Sequence, residues 1–154
     1  MRNTTKQVIT PNWIRPNLEN ERGELERVIS EFLAEEPTDN NIRKIKDLLE
    51  SSPIMELFDK EWESLENTES FHDVKPNHIE DAEKITEEYN QDLSPENKRN
   101  FKKILDGFIQ GKEIEAPIIL KNKEGKLHLV SGNTRLMIAR ALGVRPKVVM
   151  GQIT

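Results

Sequence analysis

The feature that most constrains the fold is a change of hydrophobic period near residue 115. Up to Phe108 the apolar residues recur at helical spacing, whereas Pro117-Ile118-Ile119-Leu120 and Leu127-His128-Leu129-Val130 are continuous apolar runs. Runs of that length, separated by Lys121-Asn122-Lys123-Glu124-Gly125-Lys126, predict a β-hairpin. Helical density returns in Leu136, Met137, Ile138, Ala139, Ala141 and Leu142, with Gly143 as the stop. Val144 to Ile153 then reads as a closing strand. The last third is thus helix, strand, strand, turn, helix, strand.

Upstream, Pro11 and Pro16 around Trp13 predict an extended arm over Met1–Asn20. Three amphipathic helices come next. Leu25, Val28, Ile29, Phe32 and Leu33 mark the first, and Ile42, Ile45, Leu48 and Leu49 the second. Pro53 should open the third, which runs through Met55, Leu57, Phe58, Trp62 and Leu65. Glu66 to Asn77 reads as irregular or as one short strand, and Ile79–Tyr89 as a short helix. Ser94-Pro95-Glu96-Asn97 carries start signals for a helix that reaches Phe108. The expected class is α+β, with an acidic, mainly helical region over 1–75 and an α/β module over 76–154.

Charge divides the chain more sharply than the hydrophobic pattern does. From Asn97 onward 12 Lys and Arg face 4 acids, whereas residues 1–96 carry 11 bases and 24 acids. A basic module beside an acidic neighbour suits an anionic ligand, although solvated surface charge gives the same count. Zero cysteines exclude disulfides and thiolate chemistry. No run of about 18 apolar residues exists and the start MRNTTKQVIT lacks a secretory pattern, so a cytoplasmic protein without a membrane partner is expected.

The turn Ser131-Gly132-Asn133-Thr134-Arg135 stands where a strand re-enters a helix. There, unpaired backbone N–H groups and the positive end of a helix dipole meet an anion. Gly132 would allow a phosphate oxygen to approach where a Cβ would obstruct it. Ser131, Asn133 and Thr134 offer donors, and Arg135 a guanidinium fork for two phosphate oxygens. The same residues also serve an ordinary strand-to-helix turn, with Asn133 or Thr134 as cap.

From Ala116 to Val149 the chain resembles the ParB/sulfiredoxin superfamily: an apolar strand after Pro, a hairpin, a Gly-x-x-Arg turn, a helix with Ala-Arg-x-Leu-Gly, and a last strand. Phe101 to Ile114 looks like the helix preceding that core. The resemblance implies that Gly132, Asn133, Thr134 and Arg135 bind the phosphates of a nucleoside triphosphate, ATP or CTP, with Mg²⁺. It also implies phosphoryl transfer or hydrolysis, with an upstream carboxylate near the phosphate; Glu80, Asp81, Glu83, Glu87 and Glu88 are candidates, and Glu80 and Asp81 with Arg135 form the expected catalytic set. Without a cysteine in the turn, sulfiredoxin chemistry is excluded. The acceptor stays open among water, a hydroxylated metabolite and a modified base in DNA.

Other residues read more plainly. His72, Asp73 and His78 match no familiar metal spacing, so no metal site is assigned. Arg140 lies five residues beyond Arg135, about 140° around a helix, and should face elsewhere. Trp13 and Trp62 suit core anchors, and His128 a sheet face. The alternative function is a non-catalytic module binding nucleic acid or a protein through the basic last third, an organisation that suits a phage or mobile-element accessory protein.

Overall fold

A computed structural model describes residues 9–154; of the N-terminal arm, residues 1–8 lie outside the described residues. The chain runs β1 (Asn12–Ile14), α1 (Arg22–Glu31), α2 (Asp39–Ser51), β2 (Ile54–Glu56), α3 (Asp59–Glu63), α4 (Ser70–Asp73), α5 (Ile79–Gln91), α6 (Phe101–Gln110), β3 (Glu113–Glu115), β4 (Ile118–Lys121), β5 (Leu127–Ser131), α7 (Asn133–Leu142) and β6 (Lys147–Gln152). Helices and mixed sheets together make the expected α+β class.

The main sheet has the order β2-β6-β4-β5. β4 and β5 form the expected antiparallel hairpin, and β6 returns parallel to β4 after α7. Both faces of this sheet are covered, which is why its strands read as unbroken apolar runs and not as alternation. Successive side chains point to opposite faces. Ile118 and Leu120 join Val130 and Val149 against Leu25, Val28 and Ile29 of α1 and Ile42 and Leu49 of α2. Ile119 and Leu129 go the other way, to Leu57, Trp62, Leu136 and Val148. A third cluster packs α7 on α5 and α6 through Met137, Ile138, Ala82 and Phe108.

The first 75 residues therefore share their cores with the last third. They also share its sheets. β1 pairs in parallel with β3, Trp13 opposite Ile114, and the Trp13 ring meets Phe108 edge to face at 5.4 Å. Arg15 donates to the carbonyls of Leu49 and Ser52 at 3.2 and 2.9 Å, capping the C-terminus of α2 with a cation.

Three local expectations are corrected. Ile54-Met55-Glu56 is not the start of a helix but an edge strand, antiparallel to β6; the open edge of β6 outweighs a helical spacing that only α3 retains. The signal Ser94-Pro95-Glu96-Asn97 produces a 3-10 turn over Pro95–Asn97, and α6 begins at Phe101 with Asn100 as its cap, accepting from the Lys103 N–H at 3.1 Å. Within Glu66–Asn77 the regular piece is a four-residue helix, α4, and not a strand. Trp62 and Trp13 are core anchors as expected, Trp62 being buried with its Nε1 donating to Ser70 Oγ at 2.9 Å. Among the described residues no helix is long and apolar enough to cross a membrane.

Candidate functional site

β5 ends at Ser131, and the chain reverses into α7 through Gly132 at φ +111°. A Cβ on Gly132 would stand 2.6 Å from Pro117 Cβ and 2.9 Å from Pro117 Cα. Glycine is thus required by the contact with the residue that opens β4 and by the left-handed backbone. The tight turn is as expected, and the contact with Pro117 adds a packing reason for glycine to it.

Beyond Gly132 lies an open helix end. No side chain caps the first-turn N–H groups of α7, as is also true of α1 and α5, whereas Thr38 and Asn100 cap α2 and α6. Thr134 is 5% exposed, and its hydroxyl makes no hydrogen bond among the described residues. That oxygen is not sealed in either, since no fully buried side-chain polar atom lacks a partner. Thr134 lines a cleft of about 540 Å³ that begins at this turn. Asn133 Oδ1 is occupied, accepting from Thr68 Oγ1 at 2.9 Å.

Arg135 points back into the fold. Its Nη1 donates to the Glu115 carbonyl and its Nη2 to Ser131 Oγ, the latter at 3.2 Å. Burial pulls the guanidinium below its ordinary value; Glu21 and Glu115 oppose this, and the positive charge of Arg99 adds to it. Two of its five N–H donors are committed to structure, so it is a partly desolvated cation behind the turn and not a free fork.

The opposite wall comes from the acidic half. Glu21, Glu24 and Arg27, around the start of α1, line the cleft, with Asn67 and Thr68 on one side and Tyr89 and Arg99 on another. Burial pushes the Glu21 carboxyl above the usual carboxylate range, against the pull of Ser131 and Arg135, and the neighbouring Glu24 pushes the same way. Glu24 pairs with Arg27 at 3.3 Å. The cleft thus mixes arginines with two carboxylates, one of them inclined to hold a proton.

The structure brings Ser131, Gly132, Asn133, Thr134 and Arg135 together along one rim. It does not bring the expected upstream acids there. Glu80 reaches His78 at 3.3 Å, and Asp81 accepts from the Lys75 N–H at 3.3 Å. Asp81 lines a second, shallow cleft with Lys84 and Glu88 that shares Tyr89 with the first, and Glu83 and Glu87 line neither. The carboxylates at the turn are Glu21 and Glu24, which sequence reasoning missed. Their only local signal is the acidic face of α1, and that face looks the same at every turn.

The remaining candidates fall elsewhere. Arg140 lies over the Phe71 ring at 4.0 Å and donates to the Phe71 and Val74 carbonyls, facing away from Arg135. Arg145 covers Phe58 at 4.7 Å. His128 is buried, stacked on Phe32 and bonded through Nδ1 to Glu66. Among the described residues no group of three or more His, Asp or Glu side chains is placed to hold a metal.

Fold and cleft together define an α+β protein with a polar, open-ended cleft at a strand–turn–helix junction. Comparison with protein-family models, with curated proteins and with solved structures finds no match.

Proposed function

We propose that this cleft binds a phosphorylated small molecule, a nucleoside triphosphate such as ATP or CTP, and that the protein transfers or hydrolyses its terminal phosphoryl group. One observation carries the reading: the N-terminus of α7, with no side-chain cap, presents its N–H groups beside Thr134, a residue more than nine-tenths buried whose hydroxyl has no partner among the described residues. Those donors suit an anionic oxygen. Arg135 and Arg99, whose like charges oppose each other, both gain from an anion between them. The resemblance of residues 116–149 to the ParB/sulfiredoxin superfamily points the same way.

The two carboxylates fit the same chemistry. Mg²⁺ is commonly held by one or two carboxylates plus substrate phosphates, and Glu24, which lines the cleft, would be the carboxylate for an accompanying Mg²⁺. When bound, the ion would neutralise charge on the phosphates. Glu21, inclined to hold a proton, suits acceptance of the proton from the attacking hydroxyl or water as the new P–O bond forms and the diphosphate leaves.

Thr134→Val tests the site with little structural cost, because it removes a hydroxyl without a partner and keeps the buried shape. It should weaken ATP or CTP binding about tenfold, the scale of one hydrogen bond to a charged group, with the melting temperature of the free protein unchanged. In thermal-shift titrations with and without Mg²⁺, ligand at about 100 times its Kd should add about 2.7 kcal/mol to the wild type. If neither nucleotides nor inorganic phosphate shift the wild type, the reading fails.

A second reading has one observation of its own, the exposed run Lys98, Arg99, Lys102 and Lys103 beside the cleft. It fits a nucleic-acid contact. Stabilisation by a DNA duplex or single strand that fades with salt, with none by nucleotides, would favour that module.

A further inference from the structure

The apolar residues of the cleft lining are Leu129 and Val130, just before the turn, and, on other elements, Tyr89 of α5 and Ile104 of α6. Tyr89 is 50% exposed, yet it does not belong to the solvent face of its helix. Ala82, Ile85 and Thr86 form the inward stripe of α5, and Tyr89 lies four residues after Ile85 and three after Thr86. Tyr89 therefore continues the packing stripe past the body, and its exposed half borders both this cleft and the shallow one lined by Asp81, Lys84 and Glu88. Among the described residues its ring enters no aromatic pair and no hydrogen bond.

The next residue ties Arg99 to the end of α5. Asn90 Nδ2 donates to the Arg99 carbonyl at 2.8 Å, and Asn90 Oδ1 accepts from the Arg99 N–H at 2.7 Å. This two-way clamp holds the 92–100 connection on the end of α5 and sets Arg99 on the same wall as Tyr89. The positive charge of Arg99 in turn acts on Arg135 at the turn. One wall thus carries an unpartnered aromatic face, then a guanidinium, in continuity with the anion seat.

We infer that Tyr89 is the platform for the base of the nucleotide, and that it makes the cleft select nucleotides over other phosphorylated small molecules. The inference rests on the phosphate reading above. A flat π-face stacked on an aromatic ring is favourable for any base, and an adjacent cation adds to it. The cleft volume lies within the range of about 300–1,000 Å³ common for small-molecule sites. A phosphosugar or a bare polyphosphate would leave the ring uncovered.

Titration of wild type, Tyr89→Ala and Tyr89→Phe with ATP, CTP and tripolyphosphate, each with Mg²⁺, tests it. Tyr89→Ala should weaken both nucleotides about tenfold, the scale of one base–aromatic contact. Tyr89→Phe, which keeps the ring, should stay close to wild type, and tripolyphosphate should bind all three proteins equally. Unchanged nucleotide binding in Tyr89→Ala overturns the inference while leaving the phosphate reading in place. So does an equal loss of nucleotide and tripolyphosphate, which would make Tyr89 a wall of the cleft and not a base platform. If the wild type binds none of the three ligands, the phosphate reading falls and this inference with it.

Discussion

Gly132 and Thr134 sit two residues apart in one turn and have different work. Gly132 is structural: its conformation at φ +111° and the 2.6 Å approach to Pro117 leave no room for any side chain. Gly132→Ala should therefore destabilise the fold, by about 1–3 kcal/mol for the strained backbone and more if Pro117 cannot shift. Denaturant unfolding measures this, and a variant as stable as the wild type would remove the packing explanation. Thr134 contributes nothing to the fold that valine could not replace, which is what makes its open hydroxyl informative. The sequence marks all five turn residues alike, because a Gly-polar-polar-Arg string is equally a phosphate seat and a strand-to-helix junction. Pro117 lies fifteen residues away, and only the tertiary register of β4 against β5 brings it onto Gly132. Arg135 is the same case: its partner is a carbonyl of β3, a strand with no sequence signal of its own beyond three residues.

Whole elements were legible where the hydrophobic period was long and uncontested. The hairpin, α7 with its stop at Gly143, and β6 arise directly from their apolar runs. β1, β2 and β3 were not legible, each having three residues and existing only because a neighbouring strand offers an edge. The outer edge of β5 shows how far this goes. Leu65 bridges Leu127, the Glu66 N–H donates to the Leu127 carbonyl at 3.0 Å, and the Asn67 side chain then completes the ladder alone. Its Oδ1 accepts from the Leu129 N–H at 2.8 Å and its Nδ2 donates to the Leu129 carbonyl at 2.9 Å. An amide here imitates a strand residue and covers an edge that would otherwise be open to pairing. Asn67→Ala should cost about 1–3 kcal/mol, the penalty for leaving partly buried polar groups unpaired. The Leu129 amide should also exchange with solvent much faster than the other amides of β5. Uniform exchange along β5 in the variant would show that the clamp is not holding this edge.

At the scale of the molecule, the division into an acidic first half and a basic last third is a division of charge and not of structure. The cleft is built from both, Glu21 with Glu24 and Arg27 of α1 coming from the first half and the turn supplying the helix end. The sequence displayed the charge contrast openly, but it could not show that α1 lies across the mouth of the turn, because amphipathic helices carry no address on their polar face. The cores are shared in the same way. A fragment of residues 76–154 would lose Leu25, Val28, Ile29, Ile42, Leu49, Leu57 and Trp62, all buried against strands and helices of the last third. At about 1.5–3 kcal/mol for each large apolar side chain, that loss is comparable with or larger than the whole net stability of about 5–15 kcal/mol for a domain. The fragment should therefore lack a cooperative thermal transition and show poorly dispersed amide resonances, and adding a peptide of residues 1–75 should restore both. A fragment that melts cooperatively by itself would establish an autonomous module, and the acidic half would then be an addition to a finished fold and not one of the walls on which the cleft depends.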